Sequence, residues 1–592
     1  MRQSFAPHKL NESYFSPHPT HTLDVTTLNG GLNLWDLDYR MKVNQSPDCV
    51  NVYWKDGSLA SRPGQEYVFE QLEPDPEAET PVVDYGVFCA CFRRLWHEKI
   101  IAQKGTRIYA IDPEDGTHTD IFDPYDSLTQ RAGGTFFVFG DKLYYMNGVD
   151  YVVVTASTVG TSVVLSAARV QGYVPVVVIN RQPSGSGGDL YQPENRIAAG
   201  KEVWFTADGT STIYVLPYQN LDQTGLIVKV TDPTTFVETT YTEVESNPGA
   251  TEYTVDRTAG TITFGAAPAQ SQLQVANNVK VTCFKSDLAT ANSVLRCSCV
   301  TVYGGDVNLS VVCGGTPAQP NAYFWSGNNG VNLDPTYFPF DYYNFAGSDA
   351  QNYVTGFGRQ QNKLIIFQER SIGKTTFSIE TISDLDYLKL AYTPVNDEIG
   401  CDIEGSIRLI ENNLVFANTY GGVYVLMDTT AAEENNVKRI SRNVNGDGEN
   451  RGLLKDLRAV SAPGVTSLDD GQRYWLAANG VVYVWDYQIK GYRGDEENLT
   501  WFYFDNIASL GWVKNVDDVY YFKQNGSLVE FTDGFADFGE GITRRYAFAA
   551  QSFGSYEPLK DVLEVVFAVR SDTDSRVNIK YKSDYEERLI IH

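Results

Sequence analysis

The feature that most constrains the fold is a glycine-containing β-hairpin that recurs along the chain. In its clearest copy, residues 414–426, an apolar strand ends at Gly421-Gly422 and a second strand follows with Tyr424 inside it. Glycine supplies the positive φ of a tight hairpin, and β-branched and aromatic residues favour the flanking strands. Related copies lie at residues 105–111, 140–146, 321–325, 479–485 and 525–531. Such a recurring hairpin predicts blades arranged around an axis.

The length of the chain and the number of hairpins predict a large all-β protein. A chain of 592 residues is too long for one ordinary core. Residues 82–170 contain two blade-like groups of short strands, and residues 297–540 contain five more. We therefore predict a β-propeller with six to eight blades, of which seven is the favoured number.

The blade rhythm breaks once, after residue 172. Residues 181–188 are dense in Pro, Ser and Gly, and the strands that follow have a different spacing. About a hundred residues with this many short strands are typical of a small β-sandwich. The predicted organisation is an extended arm at 1–22, the first part of the propeller at 23–172, a linker plus inserted β-sandwich at 173–300, the second part of the propeller at 301–543 and a C-terminal β segment at 544–592.

The charge and the apolar runs exclude several classes of partner. The net charge is −27, so the surface should repel phosphate backbones and anionic membranes rather than hold them. No signal peptide or membrane-length apolar run is visible, which predicts a protein made in the cytoplasm. The eight cysteines are sparse for this length and are expected to be buried and reduced.

The sequence offers little catalytic chemistry, and we predict no enzyme, no cofactor and no metal site. Four of the six histidines lie near the chain ends, and His97 and His118 are expected in surface or turn positions. Residues 445–450 are rich in oxygen ligands but lack the spacing of an EF-hand loop. Packing between blades is the expected role of four clustered tryptophans, Trp475, Trp485, Trp501 and Trp512.

A family resemblance begins near the start of the chain. Residues 44–47 read Asn-Gln-Ser-Pro, Asn51 follows, and residues 57–64 read Gly-x-Leu-x-x-Arg-Pro-Gly. This opening resembles that of the head-to-tail stabilisation and tail tubular (nozzle) proteins of tailed bacteriophages. Residues 362–372, 400–416 and 440–445 are similar to family segments in order and spacing, although Gly373 stands where the family has an aromatic residue.

The resemblance implies a structural virion protein that forms a ring, a hexamer, at the head–tail junction or the tail nozzle. DNA would pass through this ring without specific binding. The implied partners are further copies of the chain, portal or adaptor ring proteins, and tail fibres or other tail proteins. Assembly would take place in the host cytoplasm and the mature location would be the virion.

Two other functions remain open at this point. A glycan-binding or glycan-hydrolysing propeller would need paired carboxylates near the axis, or tryptophans that stack on sugars. A protein-interaction propeller outside any virus is the third possibility, although no motif points to it.

Overall fold

The computed structural model describes residues 23–70, 88–94, 97–129, 134–159, 162–304, 309–382, 385–427, 436–460, 464–489, 499–515, 518–523, 525–551, 566, 577–582 and 587–591. Residues 25–549 form one compact unit, and residues 1–24 and 550–592 form another. The predicted arm at 1–22 lies outside the described residues. In the smaller unit, a hairpin pairs Asn578–Lys582 with Glu587–Ile591.

Seven sheets of the larger unit share one plan, in which consecutive strands are paired antiparallel; the seventh of them also takes in a strand from the start of the propeller sequence. We call these sheets blades 1 to 7 in chain order. Their tight turns have the predicted chemistry: Asn479 and Gly480, which join the middle strands of blade 6, have φ values of 53° and 78°. The prediction of an all-β propeller is confirmed, with seven blades and about 5% helix.

The first three blades have four strands each. Blade 1 consists of Phe88–Arg94, His97–Lys104, Arg107–Ile111 and His118–Asp120. Blade 2 consists of Thr135–Phe139, Lys142–Met146, Tyr151–Val159 and Ser162–Arg169. Blade 3 consists of Cys299–Gly304, Leu309–Thr316, Gln319–Trp325 and Tyr343–Phe345.

The next three blades follow the same plan. Blade 4 consists of Val354–Gln360, Lys363–Gln368, Ile372–Ile382 and Leu385–Asn396. Blade 5 consists of Ile403–Ile410, Asn413–Asn418, Gly422–Leu426 and Val437–Arg439. Blade 6 consists of Thr466–Asp469, Arg473–Ala478, Val481–Asp486 and Trp501–Phe504.

Blade 7 is built from both ends of the propeller sequence. Its first three strands are Gly511–Lys514, Val519–Phe522 and Leu528–Thr532. The fourth is Gly64–Phe69, which runs antiparallel to Leu528–Thr532 and which we call the closing strand. Two short strands, Ala536–Asp537 and Glu540–Gly541, extend this sheet beyond the closing strand.

The seven blades close into a ring. The first strand of every blade lies against the first strand of the next blade, and the first strand of blade 7 lies against that of blade 1. The first strands are therefore innermost, around the axis. Apolar side chains fill the wedges between neighbouring blades, so the core is divided into clusters rather than concentrated at one centre.

Short elements flank the closing strand. Val52–Lys55 and Ser58–Ser61 form a hairpin, and Cys49–Val50 pairs with Arg545–Tyr546. The hairpin turn is Asp56-Gly57, with φ values of 50° and 78°, the conformation that this dipeptide favours. The helical segments of the larger unit are short: Asp38–Arg40, Leu288–Leu295, Arg442–Val444 and Leu453–Ala459.

The segment between blades 2 and 3 folds as a β domain, which we call the inserted domain. Its nine strands pair in one continuous sheet rather than as two separate sheets. The ends of the sheet approach each other, because the amide of Val215 donates to Pro183 O at 3.0 Å. The strands are Val176–Arg181, Gly187–Leu190, Gly200–Phe205, Ile213–Val215, Ile227–Thr231, Glu238–Glu243, Glu252–Asp256, Thr261–Phe264 and Val279–Phe284.

Candidate functional site

The closing strand is held in place by a buried arginine. The Arg62 side chain is 1% exposed, and its Nη1 and Nη2 donate to the two carboxylate oxygens of Asp537 at 2.8 and 2.5 Å. Its Nε donates to Asn51 Oδ1 at 2.9 Å, and the remaining donors reach Pro63 O and Asp505 O. All five N–H groups of the guanidinium are therefore used. The ion pair between Arg62 and Asp537 therefore joins the start of the propeller sequence to its end.

The electrostatics of this pair favour the charged state. Burial alone would raise the pKa of Asp537, but hydrogen bonds from Arg62 and Asn506 outweigh it and hold the pKa below its usual value. The amide oxygen of Asn51 also accepts from the backbone N–H of Asp505. The Asn51 and Arg62-Pro63-Gly64 of the family-like opening therefore form the connection that closes the ring.

The other family-like segments form buried polar networks that hold loops in place. In blade 4, Ser371 Oγ donates to Gln368 Oε1 at 2.8 Å, Gln368 Nε2 donates to Asn352 O, and Asn352 Nδ2 donates back to Ser371 Oγ. Next to blade 5, Ser441 Oγ donates to Asn445 Oδ1 at 2.7 Å. Since each buried polar group finds a partner inside the chain, these segments act as scaffold.

The departure at Gly373 has a structural reason. A Cβ at this position would lie 2.0 Å from the ring of Tyr392, which faces it from the next strand of blade 4. The aromatic ring therefore comes from the neighbouring strand, and glycine leaves the space for it.

An acidic side chain lies on the innermost strand of blade 5. The register of that strand slips between Ile403 and Arg408, so Glu404 belongs to a bulge. A Cβ at Gly356, on the innermost strand of blade 4, would lie 3.5 Å from Glu404 Cγ. Burial raises the pKa of Glu404 to about 8, and the Arg408 cation opposes this shift.

Glu404 does not have the surroundings of a glycosidase carboxylate. The charged group that shifts its pKa is Arg408, a cation, whereas glycoside hydrolysis needs a second acid nearby. Arg408 is itself held by the neighbouring blade, since its Nη2 donates to Ser467 O at 2.6 Å. The hydrogen bond from Arg408 to Ser467 joins blades 5 and 6 near the axis, which is a structural role.

The inserted domain is docked on blade 3 through a second buried arginine. Arg196 is 9% exposed, and its guanidinium lies 4.6 to 5.0 Å from the rings of Phe340, Tyr343 and Phe324. It donates to Phe340 O at 2.6 Å and to Ser293 Oγ at 3.2 Å, while its buried Nε has no hydrogen-bond partner. Burial lowers the pKa of Arg196. Aromatic rings therefore take the place of a carboxylate partner.

A shallow surface groove of about 280 Å³ lies where the chain before the closing strand crosses the connection between blades 5 and 6. We call it the Trp35 groove; its lining residues are Leu34, Trp35, Gly446, Asp447 and Arg451. Trp35 is 54% exposed, and the Arg442 guanidinium lies 5.1 Å from its ring centre.

Most residues singled out from the sequence have structural surroundings. Trp485 and Trp501 are fully buried, and Trp501 Nε1 donates to Ile440 O at 2.8 Å, from blade 6 to the chain leaving blade 5. His118 packs against Phe69. The side chain of His97 lies outside the described residues. Asp447 Oδ1 accepts three backbone N–H groups of its own loop, as a turn residue does.

Metal and thiol chemistry find no support in the described part of the chain. Within it, no three His, Cys, Asp or Glu side chains lie close enough together to hold a metal ion. The cysteines that the structure describes there are buried, and burial raises the thiol pKa of Cys283 and Cys401 to about 12. Within the same ranges, no helix has the length and apolar composition needed to cross a membrane.

Sequence reasoning missed the two most informative groups. Arg62-Pro63-Gly64 has only the local signal of a turn, and the partner of Arg62, Asp537, lies 475 positions away. Glu404 was one of many acidic residues, and its bulge has no local sequence signal.

The fold and these surfaces define a seven-bladed β-propeller protein with an inserted β domain. No protein-family model matches the chain, and neither does any curated protein. Among solved structures, the chain is similar to the computationally designed Ika8 protein, with 10% identity, a TM-score of 0.31, and 76% of this chain and 96% of that chain covered. A likeness at this TM-score supports no functional conclusion.

Proposed function

We propose that the protein is a structural component of a tailed-phage virion. It forms a ring, a hexamer, at the head–tail junction or in the tail nozzle, and DNA passes through that ring. The observation that supports this best is the position of the family-like opening. Its Asn51 and Arg62-Pro63-Gly64 lie at the closure of blade 7, where Arg62 pairs with Asp537.

Two physical properties favour a structural role: the closed ring of blades and the acidic net charge of the chain. A propeller closed by a buried ion pair is a rigid body, and rigid bodies with two complementary surfaces pack head-to-tail into rotationally symmetric rings when the rotation between copies closes. A protein with a net charge of −27 repels the DNA backbone, so DNA in its channel would move rather than bind. The proposed partners are portal or adaptor rings and tail fibres.

The test is the mass of the assembly. Purified full-length protein is measured by mass photometry over a range of concentrations, alone and with a portal-type ring from the same source. The proposal predicts a discrete hexameric species, alone or on the partner ring. A strictly monomeric protein under both conditions would contradict it.

A glycan-directed propeller is the second candidate function, and one observation favours it. Trp35 is half-exposed beside a groove of about 280 Å³, as an aromatic platform for a sugar would be. A glycan array with the full chain and with Trp35→Ala separates the two functions. Sugar binding that disappears in the variant would support the glycan function, and an empty array would exclude it.

A further inference from the structure

One stretch of the chain departs from its acidic character. Residues 438–458 carry six Lys and Arg against three Asp and Glu, whereas the whole chain carries 47 against 74. The stretch begins in the last strand of blade 5, Val437–Arg439, and continues through the connection to blade 6. Within the part of the chain that the structure describes, four of its exposed cations form no ion pair with a carboxylate: Arg442, Arg451, Lys455 and Arg458.

Other basic side chains of the protein show that this arrangement does not come from a shortage of acids. In the inserted domain, Lys229 and Lys280 both pair with Glu238, at 3.1 and 3.0 Å. In blade 1, Arg107 pairs with Asp120. A group of unpaired cations in a chain with so many carboxylates is therefore available to a binding partner.

Two of the free cations lie against exposed aromatic rings. The Arg442 guanidinium lies 5.1 Å from the ring centre of Trp35, which is 54% exposed. The Arg458 guanidinium lies 5.7 Å from the ring centre of Tyr420, which is 77% exposed. Contact with a ring restricts each arginine and leaves its donors directed to solvent, so less freedom is lost when a partner binds.

A single loop, residues 446–451, connects these two pairs into one surface. At one end, Arg451 lines the Trp35 groove together with Trp35 itself. At the other end, Arg458 Nη1 donates to Gly448 O at 3.3 Å. Lys455 precedes Arg458 by three residues on the same short helix, so the two side chains lie on one face of it. We call this surface the arginine patch; its members are Trp35, Tyr420, Arg442, Arg451, Lys455 and Arg458.

The composition of the arginine patch fits a protein partner that presents carboxylates. Trp, Tyr and Arg are the residues that most often dominate the binding energy of protein interfaces, and a guanidinium binds a carboxylate through two parallel hydrogen bonds. A continuous polyanion fits less well, because Asp36, Asp447 and Glu449 are exposed among the cations and would repel a closely spaced row of phosphates. A folded protein can place single carboxylates opposite single cations.

The chain itself has the complementary charge. Its net charge is −27, and residues 112–126 alone carry six Asp and Glu and no Lys or Arg. Exposed charges act over roughly 8 Å at physiological ionic strength, so the two facing surfaces, rather than the net charges of the copies, determine whether they attract. Two arginine patches repel each other, which excludes an isologous contact through this surface. The contact must be heterologous, and heterologous contacts form rings when the rotation between copies closes.

We propose that the arginine patch of one copy binds a carboxylate-rich surface of the next copy, and that this contact joins the copies of the ring. The inference rests on the proposed function, because it names the surface through which the ring assembles. The partner's carboxylates pair with the free guanidinium groups, and the exposed rings of Trp35 and Tyr420 pack beside these pairs.

Self-association of full-length variants tests the role of the free cations. The double variant Arg442→Gln/Arg451→Gln removes two unpaired guanidinium groups, and we expect association about 30-fold weaker by mass photometry, as for the loss of two arginine anchors. The matched control, Lys142→Gln/Arg296→Gln, removes the same charge from exposed positions outside the patch and should associate like the wild type. Thermal unfolding midpoints should be unchanged in both variants, because all four side chains are exposed.

Salt provides a second measurement on the same proteins. Wild-type association should weaken at least about tenfold between about 50 and 300 mM NaCl, because the contact joins exposed opposite charges. The double variant should show a smaller dependence. Association that is equally strong at both concentrations would contradict a contact through the arginine patch.

A zero-length crosslink identifies the two surfaces. A carbodiimide joins Nζ of Lys455 to a carboxyl group as an amide and takes up the water that is released. In an equal mixture of ¹⁴N- and ¹⁵N-labelled protein, we expect peptides of mixed isotope that link Lys455 to an Asp or Glu of another copy. Lys455→Arg keeps the charge and should associate normally without these links. Lys455 links confined to single copies would overturn the proposal.

The outcomes separate this inference from the proposed function. If the wild type forms rings and Arg442→Gln/Arg451→Gln forms them equally well, the patch is not the contact and the ring remains. If the wild type is strictly monomeric, alone and with a portal-type ring, the ring and the contact both fail. Fluorescence anisotropy with a DNA duplex of about 20 base pairs should show no binding. Binding that disappears in the double variant would assign the patch to nucleic acid and overturn the contact.

Discussion

Replacing Arg62 with methionine should open the propeller at blade 7. The substitution keeps the volume but leaves the carboxylate of Asp537 buried without its cation, because the two side chains are 1% and 8% exposed. Breaking a buried pair from one side costs about 3–5 kcal/mol. The closing strand, Gly64–Phe69, should then detach from Leu528–Thr532 more often than any other blade strand.

Hydrogen exchange is the appropriate assay, since a chain with two compact units does not unfold in one step. We expect the amides of the closing strand that donate to blade 7 to exchange at least about 100-fold faster in Arg62→Met. The matched control is Arg545→Met. Arg545 pairs with Asp48 across a similar sequence separation, but the two side chains are 58% and 43% exposed, so the cost should stay below about 1 kcal/mol. Equal exchange in both variants would refute the closing role of Arg62.

Acidification should loosen the same strand. Because the folded pKa of Asp537 lies below its usual value, the pair stabilises the protein at pH values above about 3.9. This stabilisation is lost as the pH falls through the folded pKa. In Asp537→Asn, closing-strand exchange corrected for its intrinsic pH dependence should lose this acid-induced increase. An increase of the same size in the variant would contradict the assignment.

Three further predictions test individual sites. Since the folded pKa of Glu404 is raised to about 8, the protonated side chain contributes stability at low pH, and this contribution is lost as the pH rises through about 8. The free energy of unfolding in urea should therefore decrease more from pH 6 to pH 9 in the wild type than in Glu404→Gln. Arg196→Ala should cost about 2–3 kcal/mol and make the inserted domain sensitive to limited proteolysis, because three aromatic contacts disappear. Gly373→Ala should lower stability by about 1–3 kcal/mol in thermal unfolding, since the new Cβ meets the Tyr392 ring. The control Gly541→Ala should be neutral in the same assay, because a Cβ there has no neighbour within 4 Å.

The hairpins could be predicted from the sequence because their signals are local. Asp56-Gly57 and Asn479-Gly480 both adopt the positive φ values that their turn type demands. Strand alternation around such turns fixes which side chains face the neighbouring blade. The break in this rhythm after residue 172 likewise indicates the inserted domain, which begins with Val176–Arg181.

The long-range features could not be predicted in this way. Gly64–Phe69 has the alternation of any strand, and nothing within it indicates that its partner lies more than 450 residues away. The half-buried position of Glu404 depends on a bulge that forms against blade 4.

Electron cryo-microscopy of the self-assembled full-length protein tests the central claim most directly. We expect closed rings in which every subunit is a seven-bladed propeller. Particles that remain single propellers at all concentrations and with a portal-type ring, or that assemble into open filaments, would contradict the claim.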